Sequence, residues 1–144
     1  MSLLKLDPAG KIIDAALSKG RELKLRALAV VVLDEAGHIK AVKREGGASM
    51  LRVDIAHGKA RGAVAMGCSN RAVANRAKQS QSFFVTLAAT AGGKFLAQQD
   101  GVLVRSPAGN VLGTVGIGGA SGDEEEACGA HGVEQAGLTS DIAA

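Results

Sequence analysis

The chain has 144 residues, the length of one ordinary domain, and leaves no room for a second full domain. It contains no Trp or Tyr and only three Phe, so the aromatic platforms on which single-stranded nucleic acids stack are missing. Since the net charge is also a modest +3, we expect no nucleic-acid partner. Two cysteines are too few for a disulfide framework, and no apolar run is long enough for a membrane span. We therefore expect a cytoplasmic protein without a membrane partner.

The first predicted element is a helix over residues 8–19. Asp7 followed by Pro8 is typical of a helix start, because the carboxylate can cap free N–H groups and proline loses no donor in the first turn. Apolar residues then recur at spacings of three and four. Gly20 can take the left-handed conformation that ends a helix.

Two strands are predicted next. The run from Leu25 to Leu33 is almost continuously apolar and β-branched, as expected of a strand that is covered on both faces. Turn residues at 34–37 lead into a more polar strand over 38–44, so the pair is predicted to form an antiparallel hairpin. A flexible loop follows at 45–49.

The middle of the chain predicts three helices. Helical spacing runs over 53–66, with Gly67 as a C-terminal cap, and continues in two shorter helices at 70–79 and 82–91. The apolar stripe of the last helix, which includes Phe83, is predicted to lie in the core. Basic residues outnumber acidic ones between positions 40 and 78, which is typical of solvated helix faces; a surface for an anionic ligand is the alternative.

The last third predicts a second hairpin and a final helix. Strands are expected over 102–104 and 111–117, joined by a turn that contains proline and glycine, and a helix over 122–137. A further short strand near 94–97 is an option. The chain is thus predicted to be one α/β (α+β) domain over residues 4–138, followed by a loose C-terminal tail at 139–144.

The glycine-rich segment at 113–126 invites comparison with a nucleotide-binding loop. Its glycines do not satisfy G-x-G-x-x-G, no phosphate-binding lysine follows, and acidic residues stand where a phosphate would lie. Ser121 and Glu124 instead predict a helix capping box. Gly118 and Gly119 are expected to be structural, because they let the strand and helix backbones pack closely.

Glu124, Cys128 and His131 recur at helical spacing, so one helix face can present a carboxylate, a thiol and an imidazole. Such a trio can bind zinc or iron, but no second ligand cluster completes the coordination, and a surface or packed histidine is the alternative. Cys128 and His131 can also be interpreted as a nucleophilic thiolate and its general base, yet nothing in the sequence identifies an oxyanion hole.

His57 lies one helical turn before Arg61, so both side chains share a face of the helix at 53–66. An imidazole beside an arginine can provide an axial ligand for haem iron and a partner for a propionate. The alternative is a partly exposed histidine in a charged stripe. His38 follows a turn and is expected to be solvated.

Four phrases carry a resemblance to a known family: IIDAAL, AVVVLDEAGHIKAVKRE, IAHGKARGAVAMG and GNVLGTVGIGGASGDEEE, at 12–17, 29–45, 55–67 and 109–126. Together they resemble the GlcG/HbpS-like family, which also includes the C-terminal domain of PduO-type proteins. The resemblance implies an antiparallel sheet of about five strands, flanked by helices on both faces, and a homo-oligomer. The usual R-M-D-G-A phrase is replaced by Arg44 to Ala48, REGGA, so no ligand role is carried over to that loop.

The resemblance implies function only loosely, since some relatives bind or degrade haem, some act in sensing, and others accompany glycolate, diol or aromatic catabolism. We expect a ligand-binding accessory protein whose ligand is haem or a related tetrapyrrole, rather than an enzyme, with no catalytic residue assigned. The alternatives are an enzyme or accessory subunit acting on a small hydroxy acid or aromatic catabolite, and a structural oligomerisation module. Small residues such as Ala60, Ala63 and Gly67 offer a helix surface on which subunits can pack.

Overall fold

The computed structural model describes residues 3–144, which form an α+β domain with five helices and one antiparallel sheet of five strands. The helices are α1 (Leu6–Glu22), α2 (Met50–Met66), α3 (Asn70–Gln79), α4 (Gln81–Thr90) and α5 (Gly122–Gln135). The strands are β1 (Ala29–Asp34), β2 (Ile39–Arg44), β3 (Gly101–Arg105), β4 (Val111–Gly118) and β5 (Thr139–Asp141).

The strand order in the sheet is β2-β1-β4-β3-β5, so β4 lies at the centre. Strand β1 pairs with β2 in the predicted hairpin and with β4 on its other side. All six residues of β1 are buried, as its continuous apolar run predicts, because helices cover both faces of the sheet. The fold class predicted from the sequence is confirmed.

The side chains of β1 alternate between two cores. Val30 and Val32 face α1 and α5 and join the larger apolar cluster, while Val31 and Leu33 face α2. The small side chains of Ala60 and Ala63 are fully buried within this chain. The expectation that they form a surface between subunits is therefore wrong, because they lie in the interface between α2 and the sheet.

Glycines bring α2 unusually close to the sheet. A Cβ on Gly118 would lie 2.5 Å from the carbonyl oxygen of Arg52, and one on Gly116 would collide with the carbonyl oxygen of Ala56. Gly119 has a φ of +134°, and a Cβ there would meet the carbonyl oxygen of Ala27 at 2.5 Å. The predicted structural role of the glycines that end β4 is thus supported by direct backbone approach.

The ends of α1 differ from the prediction. Lys5 is the N-cap and Asp7 lies in the first turn without a side-chain capping bond, while Leu23 is the C-cap. Gly20 does not end the helix: it is buried inside it, where a Cβ would lie 2.6 Å from a methyl group of Leu28. Tertiary packing, rather than a left-handed backbone, accounts for this glycine.

Two other expectations about loops are corrected. Residues 139–141 are not part of a loose tail, because they pair with β3 as the edge strand β5, and the folded unit therefore extends beyond residue 138. Residues 94–97 form no strand; the Leu96 amide instead donates to the carbonyl oxygen of Gly58 on α2 at 3.1 Å.

The apolar stripe of α4 is only partly core. Phe84 packs with Val73 and Phe95 in a third, smaller cluster, whereas Phe83 is 59% exposed. The other predicted helices and strands are confirmed as elements, including the left-handed cap at Gly67, which has a φ of +68°.

Candidate functional site

The acidic run that begins α5 is bound to basic side chains of the neighbouring helices. Glu125 is buried and accepts a hydrogen bond from the Lys59 ammonium of α2 at 2.7 Å. Lys59 also donates to the carbonyl oxygen of Ile117 at 3.3 Å, and the second Glu125 oxygen accepts from the Ala120 amide at 3.1 Å. This buried ion pair connects α2 and α5, which lie on opposite faces of the sheet, across the end of β4.

The remaining acids of the run also have structural partners. Glu126 forms an ion pair with Arg71 of α3, and Asp123 accepts a hydrogen bond from Gln99 at 2.7 Å. Ser121 and Glu124 form the predicted capping box in both directions. The run therefore fastens α5 to α2 and α3, which supports the structural interpretation over a phosphate-binding loop.

The structure does not bring Glu124, Cys128 and His131 together as a metal site. Cys128 is fully buried in the core between the sheet and helices α1 and α5, while Glu124 is exposed at the helix start and His131 is half-buried. Burial, together with the nearby Asp100, raises the pKa of the Cys128 thiol to about 11, so it is neutral at pH 7. Within residues 3–144, no group of three or more His, Cys, Asp or Glu side chains could hold a metal ion.

Asp100 is a buried acid that the sequence did not single out. One carboxylate oxygen accepts a hydrogen bond from the Ile117 amide at 2.8 Å, and the other is buried with no hydrogen-bond partner among residues 3–144. Burial raises the pKa of Asp100 well above its ordinary value, although the Lys59 ammonium opposes the shift. Its backbone has a φ of +88°, so both its conformation and its ionisation are imposed by tertiary structure.

His57 is half-buried on α2. Burial lowers the pKa of its imidazole, and the positive charges of Arg61 and Lys94 lower it further, against the opposing effect of Asp54. The imidazole is therefore neutral at pH 7. A neutral imidazole has a free lone pair, which is the form that binds metal ions.

Arg61 and Lys94 complete a group around this histidine, which we call the His57 cluster (His57, Arg61 and Lys94). The Arg61 Nε donates to the carbonyl oxygen of Lys94 at 3.0 Å, which holds the irregular 94–97 segment beside α2. The terminal guanidinium nitrogens of Arg61 make no hydrogen bond or ion pair within residues 3–144. The spacing of His57 and Arg61 was visible in the sequence; Lys94 was not, because it joins them through a loop far along the chain.

An apolar groove of about 340 Å³ adjoins the same segment. Its walls come from α3, α4 and residues 95–98, and include Phe84, Val85 and Leu96. The backbone hydrogen bond between Leu96 and Gly58 places this segment directly against the helix that carries His57. The neutral imidazole and its cations thus share the 94–98 segment with an apolar surface.

The fold and the His57 cluster define a small α+β domain with a neutral histidine beside two cations. The chain belongs to the HbpS-like family: the model of that family, described as haem degrading protein HbpS-like, matches residues 4–134. A sequence comparison with curated proteins gave no significant match. In residues 3–144 no helix has the length and apolar character needed to cross a membrane.

Solved structures share the fold of this domain. A PduOC–haem complex shares 19% identity at a TM-score of 0.83, over 96% of this chain and 97% of that one. Klebsiella pneumoniae protein ORFY shares 20% identity at a TM-score of 0.82, over 93% and 90% of the two chains. A double mutant of Streptomyces reticuli HbpS shares 26% identity at a TM-score of 0.78, over 91% and 85%.

Proposed function

We propose that the protein binds haem or a related tetrapyrrole, with His57 as the axial ligand of the iron and Arg61 as a partner of a propionate. The observation that carries this proposal is the half-buried, neutral imidazole of His57 with the cations Arg61 and Lys94 near it. An iron ligand must offer its lone pair without first losing a proton, and burial together with Arg61 and Lys94 meets that requirement. Bound haem would supply a redox-active iron.

The cationic groups fit the two propionates of a haem. Arg61 is oriented through Nε by the Lys94 carbonyl group, and its terminal nitrogens stay available for a carboxylate. Lys94 is exposed and brings a second positive charge toward His57. The apolar groove beside Leu96 offers contacts of the kind that a porphyrin ring needs. The family description and the haem complex of a relative with the same fold point to the same ligand class.

The test is a haem titration followed at the Soret band, with wild type, His57→Ala and two matched controls. The chain has three histidines, so His38→Ala and His131→Ala make the same chemical change at an exposed turn and on α5. We expect His57→Ala alone to lose the wild-type spectrum and to weaken binding at least about tenfold. Equal affinity and spectrum for wild type and His57→Ala would remove His57 as the ligand, and absence of binding by wild type would refute the haem proposal.

The propionate role has its own test. Arg61→Met keeps an unbranched side chain and removes its charge, so it should weaken haem binding while leaving the Soret position unchanged. The same substitution should make no difference to haem dimethyl ester, which has no carboxylates. If Arg61→Met weakened both ligands equally, its role would be structural.

We also propose that the protein is a homo-oligomer, as the family resemblance implies. Exposed apolar side chains on α4, Phe83 and Val85, are 59% and 73% exposed and provide surface that association could bury. Light scattering coupled to size exclusion should give at least a dimer. A uniform species of 14.5 kDa at micromolar concentration would contradict this proposal.

A further inference from the structure

A second cavity, separate from the His57 cluster, lies beside the connection between β4 and α5. Its volume is about 400 Å³, within the range of small-molecule sites. The walls are residues 24–26 between α1 and β1, Arg52 in the first turn of α2, residues 119–121, and Glu124. We call it the basic cavity.

Three cationic side chains line the basic cavity: Lys24, Arg26 and Arg52. None of the three makes a side-chain hydrogen bond or ion pair with any residue in the range 3–144. Elsewhere basic side chains that approach α5 are paired, as Lys59 is with Glu125 and Arg71 with Glu126. Three positive charges against the single carboxylate of Glu124 leave a net charge of +2 in the cavity.

The walls of the basic cavity are held in place by other contacts. The Lys24 amide donates to the Arg21 carbonyl group at 3.1 Å, and the Arg21 guanidinium binds the Arg26 carbonyl group at 3.2 Å. Glu45, the nearby carboxylate, is occupied by Arg21 at 2.8 Å and by the Leu28 amide at 2.8 Å. The backbone is thus fixed while the Lys24 and Arg26 side chains stay unpaired.

The floor of the basic cavity is backbone with small side chains. Gly119 and Ala120 leave the space open, and the contact of Gly118 with the Arg52 carbonyl group sets the position of α2 relative to this floor. The capping box already occupies two amides at the start of α5, those of Ser121 and Glu124. The side-chain cations carry the electrostatic argument.

From this cavity and its unpaired cations we infer a binding site for a small dianion, such as a dicarboxylate or a phosphate monoester. Two negative charges match the net charge of the cavity, and the guanidinium groups of Arg26 and Arg52 can each donate paired hydrogen bonds to planar or tetrahedral oxyanions. A monoanion would leave one cation in excess. The inference rests on residues outside the His57 cluster and holds for haem-free protein.

The experiment compares malonate, inorganic phosphate and acetate at pH 8 and constant ionic strength, by calorimetry and by the amide NMR signals of Gly119 and Ala120. We expect saturable binding of at least one dianion, about tenfold or more tighter than acetate. Tighter phosphate binding assigns the site to phosphate esters, and tighter malonate binding assigns it to dicarboxylates. If neither dianion binds more tightly than acetate, the inference is overturned.

Variants locate the site. Arg52→Gln and Arg26→Gln should each weaken dianion binding about tenfold, because each removes a charge-assisted contact. Arg76→Gln, an exposed position on α3, makes the same change in charge away from the cavity and should leave binding unchanged. Thermal unfolding of each variant checks that the fold is intact. Equal affinities for the Arg52 and Arg76 variants would overturn the assignment to this cavity.

Discussion

Removing one partner of the buried ion pair between Lys59 and Glu125 should destabilise the domain strongly. In the Lys59→Met variant, Glu125 would remain 2% exposed in its side chain but lose the ammonium at 2.7 Å. The Ile117 carbonyl group would also lose its 3.3 Å donor from this side chain. Breaking one side of a buried ion pair costs about 3–5 kcal/mol, because the remaining charge is buried without compensation.

For a chain of this length, each kcal/mol lowers Tm by about 2–4 °C, so Lys59→Met should melt roughly 10 °C below wild type. The assay is urea and thermal unfolding at pH 7, followed by circular dichroism. The double variant Lys59→Met with Glu125→Leu removes both charges and should recover most of the loss. Lys78→Met, on the exposed side of α3, is the matched control and should change stability by less than about 0.5 kcal/mol.

A loss of less than about 1 kcal/mol in Lys59→Met, which is the range of an exposed pair, would contradict this role of the buried ion pair. The role would also be contradicted if the double variant were no more stable than the single one. In that case the Lys59 side chain would matter through its packing and not through compensation of the Glu125 charge. Double-mutant coupling between the two positions separates these explanations.

Three further predictions follow from buried groups and close contacts. The pKa of Asp100 is raised in the folded state, so the folded protein holds the carboxyl proton more tightly than the unfolded chain does. The contribution of Asp100 to stability therefore falls as the pH rises from the ordinary aspartate range toward the raised pKa. Asp100→Asn should therefore flatten the loss of stability above about pH 4, measured by urea unfolding across pH, and an unchanged slope would contradict the assignment. Gly118→Val should destabilise the fold by about 2 kcal/mol or more, because the new Cβ would meet the Arg52 carbonyl oxygen. Gly10→Ala, at a position in α1 with open space around it, should stabilise the fold by about 0.5–1 kcal/mol. Equal effects of the two substitutions on denaturant unfolding would contradict the close packing at Gly118. Cys128 should resist alkylation in the native protein because it is buried with a pKa of about 11, and the half-buried Cys68 should react first. The measurement is mass spectrometry after brief treatment with iodoacetamide, and equal reaction rates of the two thiols would contradict the burial of Cys128.

The elements with strong periodicity could be predicted from the sequence. Strand β1 is buried along its whole length, as its run of valines predicts, and the capping box at Ser121 and Glu124 is present as its spacing predicts. These features depend on hydrogen bonds and burial patterns that repeat within a few residues along the chain. The resemblance of longer phrases to the HbpS-like family was likewise available from residue order alone, and the family match over residues 4–134 confirms it.

Features that depend on distant segments were decided by tertiary structure. Glycine is the residue type that commonly ends a helix, but Gly20 lies inside α1 because Leu28 fills the space beside it. Residues 139–141 carry too weak a pattern to predict a strand, yet the free edge of β3 supplies the hydrogen bonds that order them. In both cases a packing neighbour outside the element outweighs local propensity.

The candidate sites divide in the same way. The sequence by itself determined that His57 and Arg61 share a helix face, because helical spacing alone places residues four apart side by side. Only the tertiary structure decided that Lys94 joins them, that Cys128 is turned into the core, and that Lys24, Arg26 and Arg52 surround one cavity. The physical reason is that charge and solvation at a site are set by whichever segments the packed sheet and helices bring together, and that proximity has no period in the sequence.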